Sequence, residues 1–180
     1  NKKAENLGEF LYNDIRVSLR GKSTTPEFFI DENLEAVYID KAQITQVLYN
    51  LTLNAHQSMP QGGVLKVAAH NVNPKDKLRL MDKEKDYIEI ILEDQGEGIP
   101  EENLEKIFEP YFSTKKDGSG FGLATSYSII KKHDGWLEVA SEVGVGTTIS
   151  IYLPVSTKSD VEQKKKEKMV PIYQAKILLM

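Results

Sequence analysis

The stretch Asp94-Gln95-Gly96-Glu97-Gly98-Ile99 decides how this chain folds. It follows Tyr87-Ile88-Glu89-Ile90-Ile91-Leu92-Glu93, whose alternation and β-branched content predict a strand that ends at Asp94. Gly96 and Gly98 can adopt positive φ and leave no Cβ in the way of a flat ligand. Asp94 would then be a fixed acceptor for an amino group of that ligand. The same six residues also fit an ordinary turn between a strand and a helix, so on their own they leave both interpretations open.

Length and composition narrow the class of protein. The chain has 180 residues, enough for one domain with a buried core and a short extra segment. It contains no Cys, which excludes a disulfide framework and a thiolate metal site and agrees with a reducing compartment such as the cytoplasm. A net charge of −4 and three scattered His argue against a nucleic-acid surface and a His-rich metal cluster. No run reaches the roughly 18 apolar residues of a membrane span, and a membrane anchor elsewhere in the parent protein stays open.

The hydrophobic pattern predicts an alternation of helices and strands. The first element is an amphipathic helix within residues 1–22, which Gly21 is placed to end. The later expected elements are a hairpin of strands 27–30 and 36–39, a helix from Lys41 to Met59 capped by Asp40, strands 63–72 and 86–93, a short helix opening at Pro100, a helix after Gly122, and strands 136–142 and 147–153.

The helix from Lys41 to Met59 carries two neighbouring arcs of side chains. The arc that faces the core comprises Ile44, Val47, Leu48, Leu51, Ala55 and Ser58, and the arc beside it is entirely amide, comprising Gln43, Gln46, Asn50, Asn54 and Gln57. Neutral amides that border a core predict a surface for a polar ligand or its metal, because a hard cation such as Mg²⁺ accepts amide oxygens. The alternative is a helix with an ordinary polar side. His56 projects away from both arcs and is expected to face solvent.

A glycine-rich loop leads into the next helix. Residues 113–123 contain glycines at 118, 120 and 122 and run directly into a helical pattern. Free N–H groups and the positive end of the helix dipole suit a phosphate group there, and Lys115 would add a point charge. A flexible surface loop with solvated lysines is the alternative interpretation.

Five motifs in order give the chain a resemblance to a known family. They are an asparagine box at residues 46–55, a first glycine box at 94–99, a phenylalanine box at 108–112, a second glycine box at 118–123 and a closing Gly144-Val145-Gly146-Thr147-Thr148. In this order, over about residues 10–154, the chain resembles the ATP-binding catalytic domain of sensor histidine kinases, within the wider group of gyrase, heat-shock-chaperone, histidine-kinase and mismatch-repair ATPases. The resemblance implies an α/β (α+β) two-layer sandwich, whose mixed, largely antiparallel sheet is covered on one face by three main helices, 41–59, 100–108 and 121–133.

The resemblance also implies roles for individual residues. Asp94 would accept from the adenine amino group, Gly98 would let the base approach, and Thr147 would lie near both. Asn54 would coordinate Mg²⁺, and Asn50 and Lys115 would be the catalytic residues beside the phosphates, with residues 113–120 as a mobile lid. The full set implied to bind ATP or ADP is Asn54, Asp94, Gly96, Gly98, Ile99, Phe108, Phe112, Lys115, Gly118, Gly120, Phe121, Gly122, Leu123 and Thr147.

Asn50 distinguishes between reaction types. In the hydrolysing members of the wider group, a glutamate that acts as general base stands one turn before the metal asparagine, and an amide in that place takes no proton. The resemblance therefore implies transfer of the γ-phosphoryl group to a histidine, in the manner of a protein-histidine kinase of a two-component system. The rival functions are an ATP-hydrolysing conformational switch of the gyrase or chaperone type and a docking module that binds no nucleotide.

The ends of the sequence suggest a piece of a larger protein. Residues 1–9 are expected to be the stub of an upstream dimerisation hairpin that carries the phosphoacceptor histidine, since the pattern around His56 is a decoy without the acid that follows that histidine. The ATP-binding domain is expected at 10–155, a linker at 156–170, and the start of a truncated receiver-like domain at 171–180. The expected partners are therefore that hairpin and a receiver domain or response regulator, in a homodimeric parent whose isolated fragment could be monomeric.

Overall fold

The computed structural model describes residues 2–73, 85–113 and 120–156. Within these ranges the elements are β1 (Lys3–Glu5), α1 (Leu7–Ser18), β2 (Thr24–Ile30), β3 (Val37–Ile39), α2 (Lys41–Ser58), β4 (Gly63–Val72), β5 (Tyr87–Asp94), α3 (Glu101–Leu104), α4 (Gly122–Lys132), β6 (Trp136–Glu142) and β7 (Gly146–Pro154). The predicted long helix and the four predicted long strands are confirmed to within one residue at each end. Asp40 caps α2 as predicted, because its side chain accepts from the Gln43 N–H at 3.4 Å.

The main sheet has five strands in the order β2-β4-β5-β7-β6. Only the β2–β4 pair is parallel, and the β4–β5, β5–β7 and β6–β7 pairs are antiparallel. The expected mixed, largely antiparallel sheet is therefore confirmed. The central strand β5 buries Ile88, Ile90 and Leu92 against the helices and ends at Asp94. This carboxylate therefore lies at the end of the central strand.

The predicted hairpin of strands 27–30 and 36–39 is wrong. β2 pairs in parallel with β4, whereas β3 pairs with β1 in a separate two-stranded sheet. The connection between β2 and β3 is not a solvated turn, because Leu34 within it is only 6% exposed and belongs to the core. Because this leucine is buried in the core, the chain after β2 does not turn straight back to form a hairpin with β3.

Three helices cover one face of the sheet, but one of them is not the helix that was predicted. α1, α2 and α4 share a single apolar core with the inward side of the sheet. The segment expected to be a helix at 100–108 has only one helical turn, α3, which buries no residue. In the segment 100–108 the acidic side chains are exposed and only Ile107 is buried, so the segment lacks the apolar stripe that a longer helix needs. The third covering helix is α1, where Leu7, Leu11 and Ile15 are fully buried.

The first residues pack with the domain. Lys3–Glu5 pair in antiparallel register with β3, and Leu7 is 0% exposed in the core. Asn6 caps α1 by accepting a hydrogen bond from the Gly8 N–H at 3.0 Å. Residues 3–7 therefore pack with the rest of the described domain.

Several predictions fall on residues outside the described ranges. These are the roles of Lys115 and Gly118, most of the expected linker at 156–170 and the receiver-like start at 171–180. In the part of the chain that the structure describes, no helix has both the length and the apolar character needed to cross a membrane.

Candidate nucleotide-binding site

Asp94 is a buried carboxylate held by two donors. It is the last residue of β5 and is 7% exposed. Its Oδ1 accepts from the Gly96 N–H at 2.9 Å and from the Ser58 hydroxyl at 3.1 Å, and the single hydrogen of that hydroxyl is shared with the Ala55 carbonyl oxygen at 2.8 Å. Charge-assisted bonds of this kind fix the orientation of a carboxylate and offset the cost of burying it. The side chain predicted to orient a ligand is thus itself oriented by the turn and by the end of α2.

Ser58 is a functional candidate that the sequence did not identify. It was assigned to the apolar arc of α2, yet its hydroxyl lies against Asp94 and also contacts the Ala55 carbonyl oxygen at 2.8 Å. The available signal was that Ser58 is the one hydroxyl in an otherwise aliphatic arc. Only the packing of α2 on β5 shows what that hydroxyl contacts.

The two glycines of the central turn are required by close packing within the protein. A Cβ at Gly96 would lie 2.3 Å from the Ser58 Oγ, and a Cβ at Gly98 would lie 2.1 Å from the Glu142 carbonyl oxygen. Gly98 also has a φ of +72°, which disfavours any side chain. The space into which a Cβ of Gly98 would point, where the sequence predicted that a flat ligand approaches, is therefore filled by the backbone at the end of β6. The turn is held between α2 and the β6–β7 connection.

A row of polar side chains crosses three strands beside this turn. Asp94 on β5 is paired in register with Thr147 on β7, which is paired with Ser141 on β6. Directly paired residues share one face of a sheet, and this face is the one that the helices cover. The Ser141 Oγ accepts from the Ile99 N–H at 2.8 Å and lies 2.9 Å from the Thr147 Oγ1. Ser141 was also missed from the sequence, because strand register decides its neighbours.

The amide arc of α2 faces the start of α4. The Asn50 Nδ2 donates to the Gly122 carbonyl oxygen at 3.2 Å and lies 3.4 Å from the Ser126 Oγ. Asn54, one turn further along α2, is half-buried, and its Nδ2 would be 3.8 Å from a Cβ at Gly122. The structure therefore brings Asn50, Asn54 and the first residue of α4 together.

α2 connects the two groups of residues. Ser58, Asn54 and Asn50 follow one another at intervals of four, so they lie on one side of the helix. From Ser58 to Asn50 the helix rises about 12 Å. A purine joined to a triphosphate can bridge that span.

Two aromatic contacts link the region of the phenylalanine box to the start of α4. Phe108 is half-buried and its ring centroid lies 5.1 Å from that of Tyr127 on α4. Phe121 is 44% exposed and meets Tyr111 edge-on at 4.6 Å. Gly120, with a φ of +69°, has no room for a Cβ because the Tyr111 backbone carbon would be 2.4 Å away. These contacts fix the chain where it enters α4.

Three further predicted residues are only partly enclosed. The side chains of Ile99, Phe112 and Leu123 are half-buried, and Leu123 packs against the core. They lie in the turn after β5, in the chain after α3 and in the first turn of α4, respectively.

Two of the three histidines, His56 and His133, make hydrogen-bond contacts within the domain. The His56 Nδ1 lies 2.8 Å from the Oγ1 of the buried Thr24, so the expectation that His56 faces solvent freely is corrected. The His133 Nε2 accepts from the Asp40 N–H at 3.0 Å, and its Nδ1 lies 2.8 Å from the Ile129 carbonyl oxygen. Burial lowers the pKa of His133 below its usual value.

Comparison with known proteins agrees with this geometry. Sensor kinase CckA of Brucella abortus (strain 2308) is 41% identical over 149 residues, which are 78% of this chain and 16% of CckA. Sensor histidine kinase ZraS of Escherichia coli (strain K12) is 37% identical over 134 residues, which are 74% of this chain and 26% of ZraS. The chain thus spans about a sixth to a quarter of these curated relatives.

A solved structure shows the same architecture. The mycobacterial sensor histidine kinase MprB superposes with a TM-score of 0.72 at 25% identity, over 86% of this chain and 98% of that chain. The family profile described as histidine kinase-, DNA gyrase B- and HSP90-like ATPase matches residues 39–157, which include α2, the turn after β5 and the strands β4 to β7. This chain therefore belongs to that ATPase family, as a catalytic domain of the sensor histidine kinase type.

Proposed function

We propose that this domain binds Mg-ATP and donates the γ-phosphoryl group to a histidine on an upstream hairpin of its parent protein. The observation that carries the proposal is the pair of polar groups along α2. A buried, oriented carboxylate lies at one end, and half-buried amides face the start of α4 at the other. Membership of the family supports ATP as the nucleotide.

The end at Asp94 suits a base that carries an amino group. A carboxylate such as that of Asp94 accepts hydrogen bonds and donates none. Its Oδ1 is oriented by Gly96 and Ser58, so the carboxylate needs little rearrangement when a ligand arrives. Thr147, 7% exposed and in register with Asp94, would lie beside the base.

The other end suits phosphate and a divalent cation. Asn54 offers an amide oxygen, which is a ligand type that Mg²⁺ accepts. Among the described residues no group of three or more acidic, His or Cys side chains could hold a metal by itself. The cation would therefore take its other ligands from phosphate oxygens and water, as Mg²⁺ usually does. Lys115 and the backbone from Gly118 to Leu123 would contact the phosphates.

Asn50 favours transfer to a nucleophile that needs no general base. Its Nδ2 is engaged as a donor to Gly122, and an amide cannot take a proton from water. A neutral imidazole can attack the γ-phosphorus with its own lone pair, while the bond to the leaving oxygen of ADP breaks. The phosphohistidine would then serve a receiver domain or response regulator, in a homodimeric parent.

Calorimetric titration with a non-hydrolysable ATP analogue and Mg²⁺ tests the proposal. We expect saturable binding, and we expect Asp94→Ala to weaken it by about one to two decades, because a charged acceptor is worth roughly 1.5–3 kcal/mol. Asp31→Ala, an exposed carboxylate after β2, is the control and should bind as the unaltered chain does.

A steady-state ATPase assay separates the rival functions. We expect almost no turnover by this chain. Rapid hydrolysis would favour a conformational switch of the gyrase or chaperone type, and no binding by the unaltered chain would favour a docking module.

A further inference from the structure

The hydrogen bonds around Ser141 fix the direction of a neighbouring hydroxyl. Its Oγ has three neighbours: the Ile99 N–H at 2.8 Å, the Gly146 carbonyl oxygen at 2.9 Å and the Thr147 Oγ1 at 2.9 Å. A serine hydroxyl has one hydrogen and two lone pairs. The Ile99 N–H can only donate and the Gly146 carbonyl can only accept. One arrangement satisfies all three contacts: Ser141 donates to Gly146 and accepts from both Ile99 and Thr147.

In this arrangement the Thr147 hydroxyl can only accept hydrogen bonds from groups other than Ser141. Thr147 has a single hydroxyl hydrogen, and that hydrogen is directed at Ser141. Asp94, its partner in the β5–β7 register, is an acceptor as well. Both residues are 7% exposed and lie in register at the same end of the sheet. This end of the sheet therefore presents two adjacent acceptors.

We propose that Ser141 is a positioning residue that makes the site select 6-amino over 6-oxo purine nucleotides by holding the Thr147 hydroxyl as an acceptor. The proposal rests on the nucleotide binding proposed above and adds to it a determinant of base specificity. An exocyclic amino group has two hydrogens for two acceptors, directly or through a water. A 6-oxo group would face lone pairs on both residues. Without Ser141, the Thr147 hydroxyl can rotate and donate to an oxo group.

The test is the ratio of affinities for Mg-ATP and Mg-ITP, measured by calorimetry on the chain and its variants. These nucleotides share ribose, triphosphate and purine skeleton and differ at position 6. We expect the unaltered chain to prefer ATP, and we expect Ser141→Ala to reduce that preference about five- to tenfold, the equivalent of one hydrogen bond. If Ser141 has only a structural role, Ser141→Ala would weaken the binding of both nucleotides equally and leave the ratio of affinities unchanged. That result would overturn the proposal.

Further variants keep the test decisive if Ser141→Ala unfolds after losing its bond to Ile99. Ser141→Thr keeps the hydroxyl and should restore the ratio of the unaltered chain. Thr147→Val removes the acceptor without disturbing the Ile99 contact, and it should lower the ratio to a similar extent. Ser150→Ala alters a serine of β7 on the opposite face of the sheet and should change nothing.

The outcomes distinguish this inference from the proposed function. A chain that binds ATP with an unchanged preference in Ser141→Ala and in Thr147→Val would overturn the role of Ser141 and leave nucleotide binding standing. An unaltered chain that binds neither nucleotide would overturn both.

Discussion

Gly98→Ala and Gly144→Ala form a matched pair that measures how tightly the central turn is packed. Both glycines have left-handed φ values, +72° and +79°. A Cβ at Gly144 meets nothing within 4 Å, whereas at Gly98 it would lie 2.1 Å from the Glu142 carbonyl oxygen and 2.9 Å from the Val143 Cα. Both obstructing atoms are backbone and cannot rotate aside. The two variants therefore share the conformational cost and differ in the steric one.

The two costs can be estimated separately. Left-handed φ costs an L-residue about 1–2 kcal/mol, so Gly144→Ala should lower the free energy of unfolding by that amount. Forcing the backbone apart adds about 1–3 kcal/mol, so Gly98→Ala should lose about 2–5 kcal/mol. At about 2–4 °C per kcal/mol for a chain of this length, Gly98→Ala should have the lower Tm by several degrees.

Urea unfolding followed by fluorescence provides the measurement. The chain has a single tryptophan, Trp136, which lies on β6, the strand that ends at the obstructing Glu142. We also expect Gly98→Ala, but not Gly144→Ala, to weaken binding of the ATP analogue, because the displaced turn carries Asp94. Equal destabilisation by both variants would refute the argument, since it would mean that the turn accommodates a Cβ without moving.

Three other perturbations test separate parts of the structure. Thr52→Val should raise Tm by about 2–4 °C, because the Thr52 hydroxyl is fully buried with no hydrogen-bond partner among the described residues and its removal should gain about 1 kcal/mol; an unchanged or lower Tm in thermal unfolding would contradict this. Asn50→Glu should weaken analogue binding in calorimetry by about five- to tenfold, because a carboxylate cannot donate to the Gly122 carbonyl; binding as tight as that of the unaltered chain would contradict a role for this hydrogen bond. Burial lowers the pKa of His133 from 6.5, so the unfolded chain binds the proton more readily and stability should fall as pH drops below about 6.5; urea titrations between about pH 7.5 and 5.5 should show a flatter profile for His133→Gln.

The sequence predicted the elements whose local pattern agrees with their final environment. β4, β5, β6 and β7 are apolar, largely alternating runs, and a glycine or proline lies within two residues of an end of each. α2 has a cap, a long periodicity and a definite stop. Asp94 was expected at a strand's end, and β5 ends there. In these cases propensity, periodicity and turn chemistry all point to the same answer.

The errors concern partners that lie far away in the sequence. β2 and β3 look like a hairpin because two apolar runs flank polar residues, but β2 pairs with β4, more than thirty residues further on. Ser58 and Ser141 carry no local signal, since their roles depend on which strand and turn they meet. Hydrogen-bond partners set by tertiary packing are not encoded in spacing.

α2 also fixes the distance between the two groups of polar residues that it carries. It has no Gly or Pro between Lys41 and Ser58, and its first residues are held by His133 through the Asp40 N–H while its last turn reaches Asp94. A helix held at both ends keeps the distance between its two groups of polar residues constant. With the nucleotide bound as proposed above, this spacing would discriminate between ligands by length, and a nucleotide with one phosphate would contact only the residues around Ser58 and Asp94.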